Sequence, residues 1–278
     1  MSHQSGETYC LTKQDCEDAY GQCLSSRHIT SNEEYSRKTS RTKMLFEEDA
    51  DWLNAYAFRI PAESKDAMSK EYPGVDWRKY DHCVAISAGM LRYLDVLSAV
   101  CEFLDRTGNI SKAKKMLKWM ADRITVTQVG SDYVYRFEVD FDMEDDGRRS
   151  EVQRMYGMGM LVAIFGHELG HVCLGHCLGR ENNSVSRNNE RAADGFASSI
   201  IHANAGGGIP AVAACMFHIG VMWAFGKHNG TISHSKDNGF GTHPVTQDRV
   251  LEYIDSFNSV LETSRITAEM LKKLIKGC

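Results

Sequence analysis

The pentapeptide His167-Glu168-Leu169-Gly170-His171 constrains this chain more than any other stretch, because it sets two imidazoles and a carboxylate into an apolar run that reads as a helix. At about 100° per residue the two histidines lie about 40° from eclipsed and can reach one cation, with Glu168 projecting beside them. Ser150-Glu151-Val152-Gln153 has the form of a capping box, and from Val152 to Leu178 there is no proline and no acid other than Glu168. A helix beginning near residue 150 therefore carries the pentapeptide into its apolar half, among Leu161, Val162, Ile164, Phe165, Val172 and Leu174. Polar atoms are costly there unless satisfied, and a metal ion satisfies two histidines and a carboxylate together.

A hydrolytic zinc ion takes three protein ligands and leaves one position to water, so a third donor is required. His176 lies five residues past His171, about 140° round the helix, and cannot face the same ion unless the helix ends first. It reads as a helix-end or structural histidine. Glu190 is better placed. The stretch Asn188-Asn189-Glu190-Arg191-Ala192-Ala193-Asp194 follows a polar connection long enough to bring a second helix antiparallel to the first. Asp194, four residues beyond Glu190, shares its face and can accept the free N–H of a ligand histidine, fixing its tautomer. Ala192, Ala193, Phe196 and Ala197 indicate close packing around these acids.

The order of motifs is HExxH, then Glu190-Arg-Ala-Ala-Asp194, then Gly241-Thr242-His243-Pro244 with Arg249 five residues after the proline. Over about residues 150 to 255 this resembles the gluzincin metallopeptidases and is most similar to the HtpX and CAAX-prenyl protease family. The resemblance implies one Zn2+ held by His167, His171 and Glu190, Glu168 as general base, and Asp194 as support. It also implies His243 or Arg249 near the cleft, steadying the oxyanion or the ligand helix. Members of that family usually carry several transmembrane helices, whereas here the candidate is Ile209 to Gly226, eighteen residues without a formal charge, interrupted by His218. Spanning would put two parts of one site on opposite sides of a bilayer, which favours a buried core helix, with membrane association through 209–226 as the other reading. A second resemblance, to the Lit-type phage-exclusion endopeptidases, rests on the continuation of the HExxH helix by Gly175-His176.

The implied reaction is amide hydrolysis, in which Glu168 takes a proton from zinc-bound water as it attacks a carbonyl carbon and delivers it to the leaving nitrogen. The expected activity is that of a zinc-dependent endopeptidase acting on a protein or peptide substrate. An intracellular protease needs restraint, which suggests a protein activator; the phage-exclusion resemblance implies triggering by a partner. The rival is a non-catalytic metal-containing regulatory or peptide-sensing module. Intact Glu168 favours the enzyme, since a purely structural zinc site needs no base.

With 278 residues, 42% of them hydrophobic, and only four prolines, the chain can bury one substantial core. The expected fold class is α+β, a mainly helical zincin-like core with a small antiparallel β-sheet or hairpin beside the HExxH helix. Residues 1–42 are polar and expected to be partly mobile. Residues 43–278 read as a single domain, with a helical cover over 43–122, a hairpin over 123–141, the zinc core over 150–255 and a C-terminal helix over 256–278. Within the cover, Lys43–Arg59, Cys83–Arg106 and Ser111–Arg123 read as helices. Arg123–Val129 and Tyr133–Phe141, rich in Val, Thr, Tyr and Phe, read as the hairpin, one edge of which could pair with an extended substrate. The acids from Asp140 to Asp146 read as a solvated turn, and the Gly-, Asn- and Ser-rich tract Lys227–Thr242 as a lid over the metal. A net charge of −5 and the lack of a basic patch interleaved with aromatics argue against a nucleic-acid partner. Nine cysteines and no apolar stretch in the first 30 residues point to a reducing cytoplasm, with Cys173 and Cys177 as packing residues.

Overall fold

The computed structural model describes residues 11–129, 132–138, 150–177, 183–204, 208–226 and 247–276. The acidic stretch 140–146, the lid tract 227–242 and His243 lie outside them.

The polar N-terminal stretch folds as three helices, α1 (Lys13–Ser25), α2 (Arg27–Thr30) and α3 (Glu33–Thr39). Thr12 and Asp15 form a reciprocal capping box at the start of α1, which satisfies backbone N–H groups that a helix start otherwise leaves to water. Cys16, Ala19, Cys23 and Ile29 are buried, so a stripe of mostly small side chains anchors a segment whose composition is otherwise polar.

Strands follow where sequence periodicity suggests helix. Lys43–Arg59 holds β1 (Thr42–Glu47) and β2 (Ala55–Arg59), and α4 (Lys65–Glu71) leads to β3 (His82–Ser87). The sheet order is β1-β3-β2, with β1 parallel and β2 antiparallel to β3. Two effects override the helical reading. Tyr56 and Phe58 alternate onto one face and stack with ring centroids 5.7 Å apart. Cys83, Val84, Ala85 and Ile86 are all buried in the central strand, where a paired backbone has no need of water. The expected helix from Cys83 to Arg106 accordingly starts only after the strand, as α5 (Ala88–Thr107), with Ser87 as its N-cap.

After α6 (Ile110–Asp122), the expected hairpin forms from β4 (Ile124–Val129) and β5 (Asp132–Phe137), antiparallel from Ile124↔Phe137 to Val129↔Asp132. Its main packing partner is α5, while β2 and β3 of the other sheet lie along the HExxH helix. The Leu53 N–H donates to the Tyr135 carbonyl at 2.7 Å, so the β5 edge is partly taken by the chain itself.

The HExxH helix α7 (Glu151–Leu174) is the axis of the molecule, enclosed by α1, α5, α8 (Asn183–Asn204), α9 (Gly208–Gly226) and the three-stranded sheet. By length and composition α7 could cross a membrane, yet 89% of its most apolar window is buried inside the protein, as befits a core helix. In α9, Ala211 to Met216 and Ile219 are likewise buried. The C-terminal region is broken into α10 (Gln247–Ser256), α11 (Asn258–Leu261) and α12 (Ala268–Ile275), where one helix over 256–278 was expected. The result is a mainly helical α+β fold with small sheets.

Candidate metal centre

Local structure sets the two histidines. Ser150 caps α7, its side chain accepting from the Gln153 N–H at 3.0 Å, and the helix then runs uninterrupted to Leu174. The Nε2 atoms of His167 and His171 lie 3.0 Å apart. Gly175 ends the helix in the left-handed region, at φ 80°, and the His176 N–H returns to the His171 carbonyl at 2.8 Å. Because the helix stops there, His176 is not carried 140° away; its Nδ1 sits 3.2 Å from Nδ1 of His171. Lys38 of α3 donates to the Cys173 carbonyl at 2.6 Å, satisfying one of the last carbonyls of α7.

Glu190 and Asp194 arrive on α8 because α7 and α8 approach closely. A Cβ at Gly170 would meet Cα of Ala193 at 3.0 Å, and one at Gly166 would meet Cα of Ala197 at 3.2 Å. Both contacts are tighter than carbon atoms prefer. The spacing of the helices therefore depends on these glycines facing these alanines. Glu190 then places Oε2 3.3 Å from His167 Nε2 and Oε1 3.3 Å from His171 Nε2.

These distances can be set against what a metal requires. Zinc held at about 2.0–2.1 Å with tetrahedral angles separates its ligand atoms by about 3.3 Å. The two imidazole Nε2 atoms lie 3.0 Å apart and each lies 3.3 Å from a different oxygen of Glu190, spacings of the size that such a site has, with the carboxylate spread across the histidine pair. All three residues are buried or nearly so, and together they form a cluster able to hold a metal ion. Glu190 and Asp194 are both buried against the Arg249 guanidinium, and Glu168 is buried on the HExxH helix.

Asp194 is the point where four helices meet. Its Oδ1 accepts from His167 Nδ1 at 2.9 Å, His218 Nε2 at 3.2 Å and Arg249 Nη2 at 2.8 Å, and its Oδ2 accepts from Arg249 Nε at 2.6 Å. Burial works to raise the Asp194 pKa, but the Arg249 hydrogen bonds and the nearby histidines outweigh it and hold the carboxyl well below its usual range. Burial works the other way on His167, and hydrogen bonds to Asp194 and Glu190 prevail, pushing it up to about 10. Arg249, from α10, also reaches Glu190 Oε2 at 3.1 Å.

The structure thus brings together His167, His171, Glu190, Asp194 and Arg249, with Glu168 buried on the same helix. His243 lies outside the described residues. His218 was missed by sequence reasoning as part of this cluster. Its only signal was an isolated polar side chain in the uncharged run of α9.

Residues 102–271 match the family model Peptidase U49. The chain belongs to peptidase family U49. These are Lit-type peptidases, so of the two resemblances the match supports the second. The matched span starts within α5, ends within α12 and includes every residue of the cluster. No curated protein and no solved structure matches the chain. As a member of a peptidase family, the protein is a hydrolase of peptide bonds whose substrate is a protein or peptide.

Proposed function

We propose that this U49 peptidase is a zinc-dependent endopeptidase of gluzincin type, acting on an intracellular protein. The observation that carries the reading is the buried cluster of His167, His171 and Glu190, with donor atoms 3.0–3.3 Å apart, next to Glu168 on the same helix and within the span matched to a peptidase family. When bound by these three residues, zinc supplies a Lewis acid that makes water acidic and polarises the scissile carbonyl. Glu168 takes the proton from the attacking water and passes it to the leaving nitrogen, so that hydroxyl adds to the carbonyl carbon, the C–N bond breaks and the amine leaves neutral.

The remaining residues orient the donors. Asp194 accepts from His167 Nδ1, which fixes the tautomer with the Nε2 lone pair turned toward Glu190 and His171. His176 stands beside His171 Nδ1 and plays the matching part there. Arg249 is buried against both acids of α8, so its geometry supports a role in steadying that ligand helix in preference to contacting an oxyanion. Reaction in a cytoplasmic setting and control by a protein activator belong to the same proposal.

The test compares the parent with Glu168→Gln. Zinc is measured in each purified protein, and new peptide N-termini are mapped by mass spectrometry after incubation with a cell lysate. The expected result is one zinc per chain in both, with new cleavage sites in the parent alone. Zinc in both and cleavage by neither would support the peptide-sensing alternative. Absence of zinc from both would end the proposal.

A further inference from the structure

Resting on the metal-centre reading above, we infer that His218 is a positioning residue for the site, acting through Asp194 on the orientation of His167. His218 lies on α9, and its side chain is the polar interruption in a helix whose neighbouring positions, Ala214, Cys215, Met216 and Ile219, are apolar and buried. The imidazole is itself buried, stacked on Tyr253 of α10 with ring centroids 4.0 Å apart and planes inclined at 25°. Both ring nitrogens face oxygen acceptors. Nδ1 lies 3.0 Å from the Ala214 carbonyl, and Nε2 lies 3.2 Å from Asp194 Oδ1.

The own-helix bond to the Ala214 carbonyl satisfies only one of the two ring nitrogens. Here the second nitrogen is directed at the same oxygen, Asp194 Oδ1, that accepts from His167 Nδ1. Geometry explains why another donor is useful. Arg249 grips Asp194 by two roughly parallel bonds, at 2.6 and 2.8 Å, and two such bonds leave the carboxylate able to hinge about the line joining the groups. A donor from a third helix removes that freedom. The stack on Tyr253 and the bond to Ala214 fix the imidazole in turn, so the chain of support runs from α9 and α10 through Asp194 to His167. Groups that orient a metal-bound histidine commonly change metal affinity by about 10–100-fold when removed.

The experiment uses His218→Phe, which keeps an aromatic ring for Tyr253 and loses both nitrogens, and His218→Gln, whose amide can place an N–H near the Nε2 position. Zinc affinity is measured by competition with a chromogenic chelator, and the visible spectrum of the cobalt-loaded protein reports ligand geometry. Unfolding midpoints are recorded alongside. Zinc binding about 10–100-fold weaker in His218→Phe with an altered cobalt spectrum, and recovery to within a few-fold of the parent in His218→Gln, is the expected result. Parental affinity and spectrum in a folded His218→Phe would overturn the inference while leaving the metal centre intact. If His218→Phe does not fold, His218→Asn, too short to reach Asp194, replaces it: equal affinity in the Asn and Gln variants would overturn the inference. A parent that binds neither zinc nor cobalt would instead overturn the metal-centre reading.

Discussion

Replacing Arg249 by Met tests whether the cluster is held by charge. The guanidinium is buried and makes contacts of 2.6 and 2.8 Å to Asp194 and 3.1 Å to Glu190. Met keeps much of the side-chain length and removes every donor. Each hydrogen bond to a charged group is worth about 1.5–3 kcal/mol net when taken singly, but three bonds sharing one buried guanidinium do not add. The net loss is better taken from buried pairs broken on one side, about 3–5 kcal/mol, because two carboxylates stay behind. Over 278 residues, an unfolding entropy of about 2.1 cal/mol/K per residue turns this into a drop of roughly 5–9 °C in midpoint. The assay is thermal unfolding at pH 7 in excess chelator, repeated for Arg249→Met with Asp194→Asn. The double variant should recover part of the loss, since it removes one of the stranded charges. A chelated single variant within about 1 kcal/mol of the parent would refute the reasoning, because it would show that water already screens these acids.

Three further outcomes follow from the same geometry. Gly170→Ala gains about 1 kcal/mol in helix propensity, but its Cβ would lie 3.0 Å from Cα of Ala193 on α8. Forcing the helices apart costs about 1–3 kcal/mol, so the variant should be level with or below the parent in urea titration and should bind zinc more weakly; tighter binding would contradict the close-approach argument. For His167, the folded pKa of about 10 lies above the ordinary 6.5, so its contribution to the chelated protein is complete below about 6.5 and is lost as pH rises towards 10. Unfolding midpoints of the chelated protein should fall across that window, and a flat profile would speak against the ion pairs assigned here. Asp194, held low, contributes in the opposite sense, with stability present above about pH 4 and lost on acidification below it, to be checked by acid titration of the chelated parent against Asp194→Asn.

The parts of the site that were legible in the sequence are those fixed within one helix. Ser150, the unbroken apolar run and the four-residue spacing of His167 and His171 define α7 without reference to the rest of the chain. Glu190 and Asp194 could be proposed as neighbours because four-residue spacing again puts them on one face, and because Ala193 and Ala197 suggested a close partner. That partner proved to be the face of α7 bearing Gly166 and Gly170. What sequence could not show is decided by residues far apart in the chain. β1 owes its existence to β3, Thr42 pairing with His82 forty residues on, and no local period in Lys43–Arg59 announces it. His218 has no motif, since its meaning comes from Asp194 lying opposite in space. The placement of His176 turned on whether Gly175 would end the helix, and its left-handed φ did so.

With the site tied to four helices through one carboxylate, the proposed metal binding and folding become two readings of one equilibrium. His167 is on α7, Asp194 on α8, His218 on α9 and Arg249 on α10, so opening any of these contacts loosens the donors as well as the core. An ion bound only by the folded chain stabilises it by RT ln(1 + [L]/Kd), about 2.7 kcal/mol at a free concentration one hundred times Kd. Adding chelator to the zinc-loaded parent should therefore lower its unfolding midpoint by several degrees, and the decrement should grow with the free zinc from which it starts. In His171→Ala, which removes one donor and keeps the Asp194 contacts, the zinc-dependent part should shrink towards zero while the protein stays folded. A midpoint that ignores zinc in the parent, or follows it equally in His171→Ala, would mean that the three donors do not hold the ion, whatever the spacing between them.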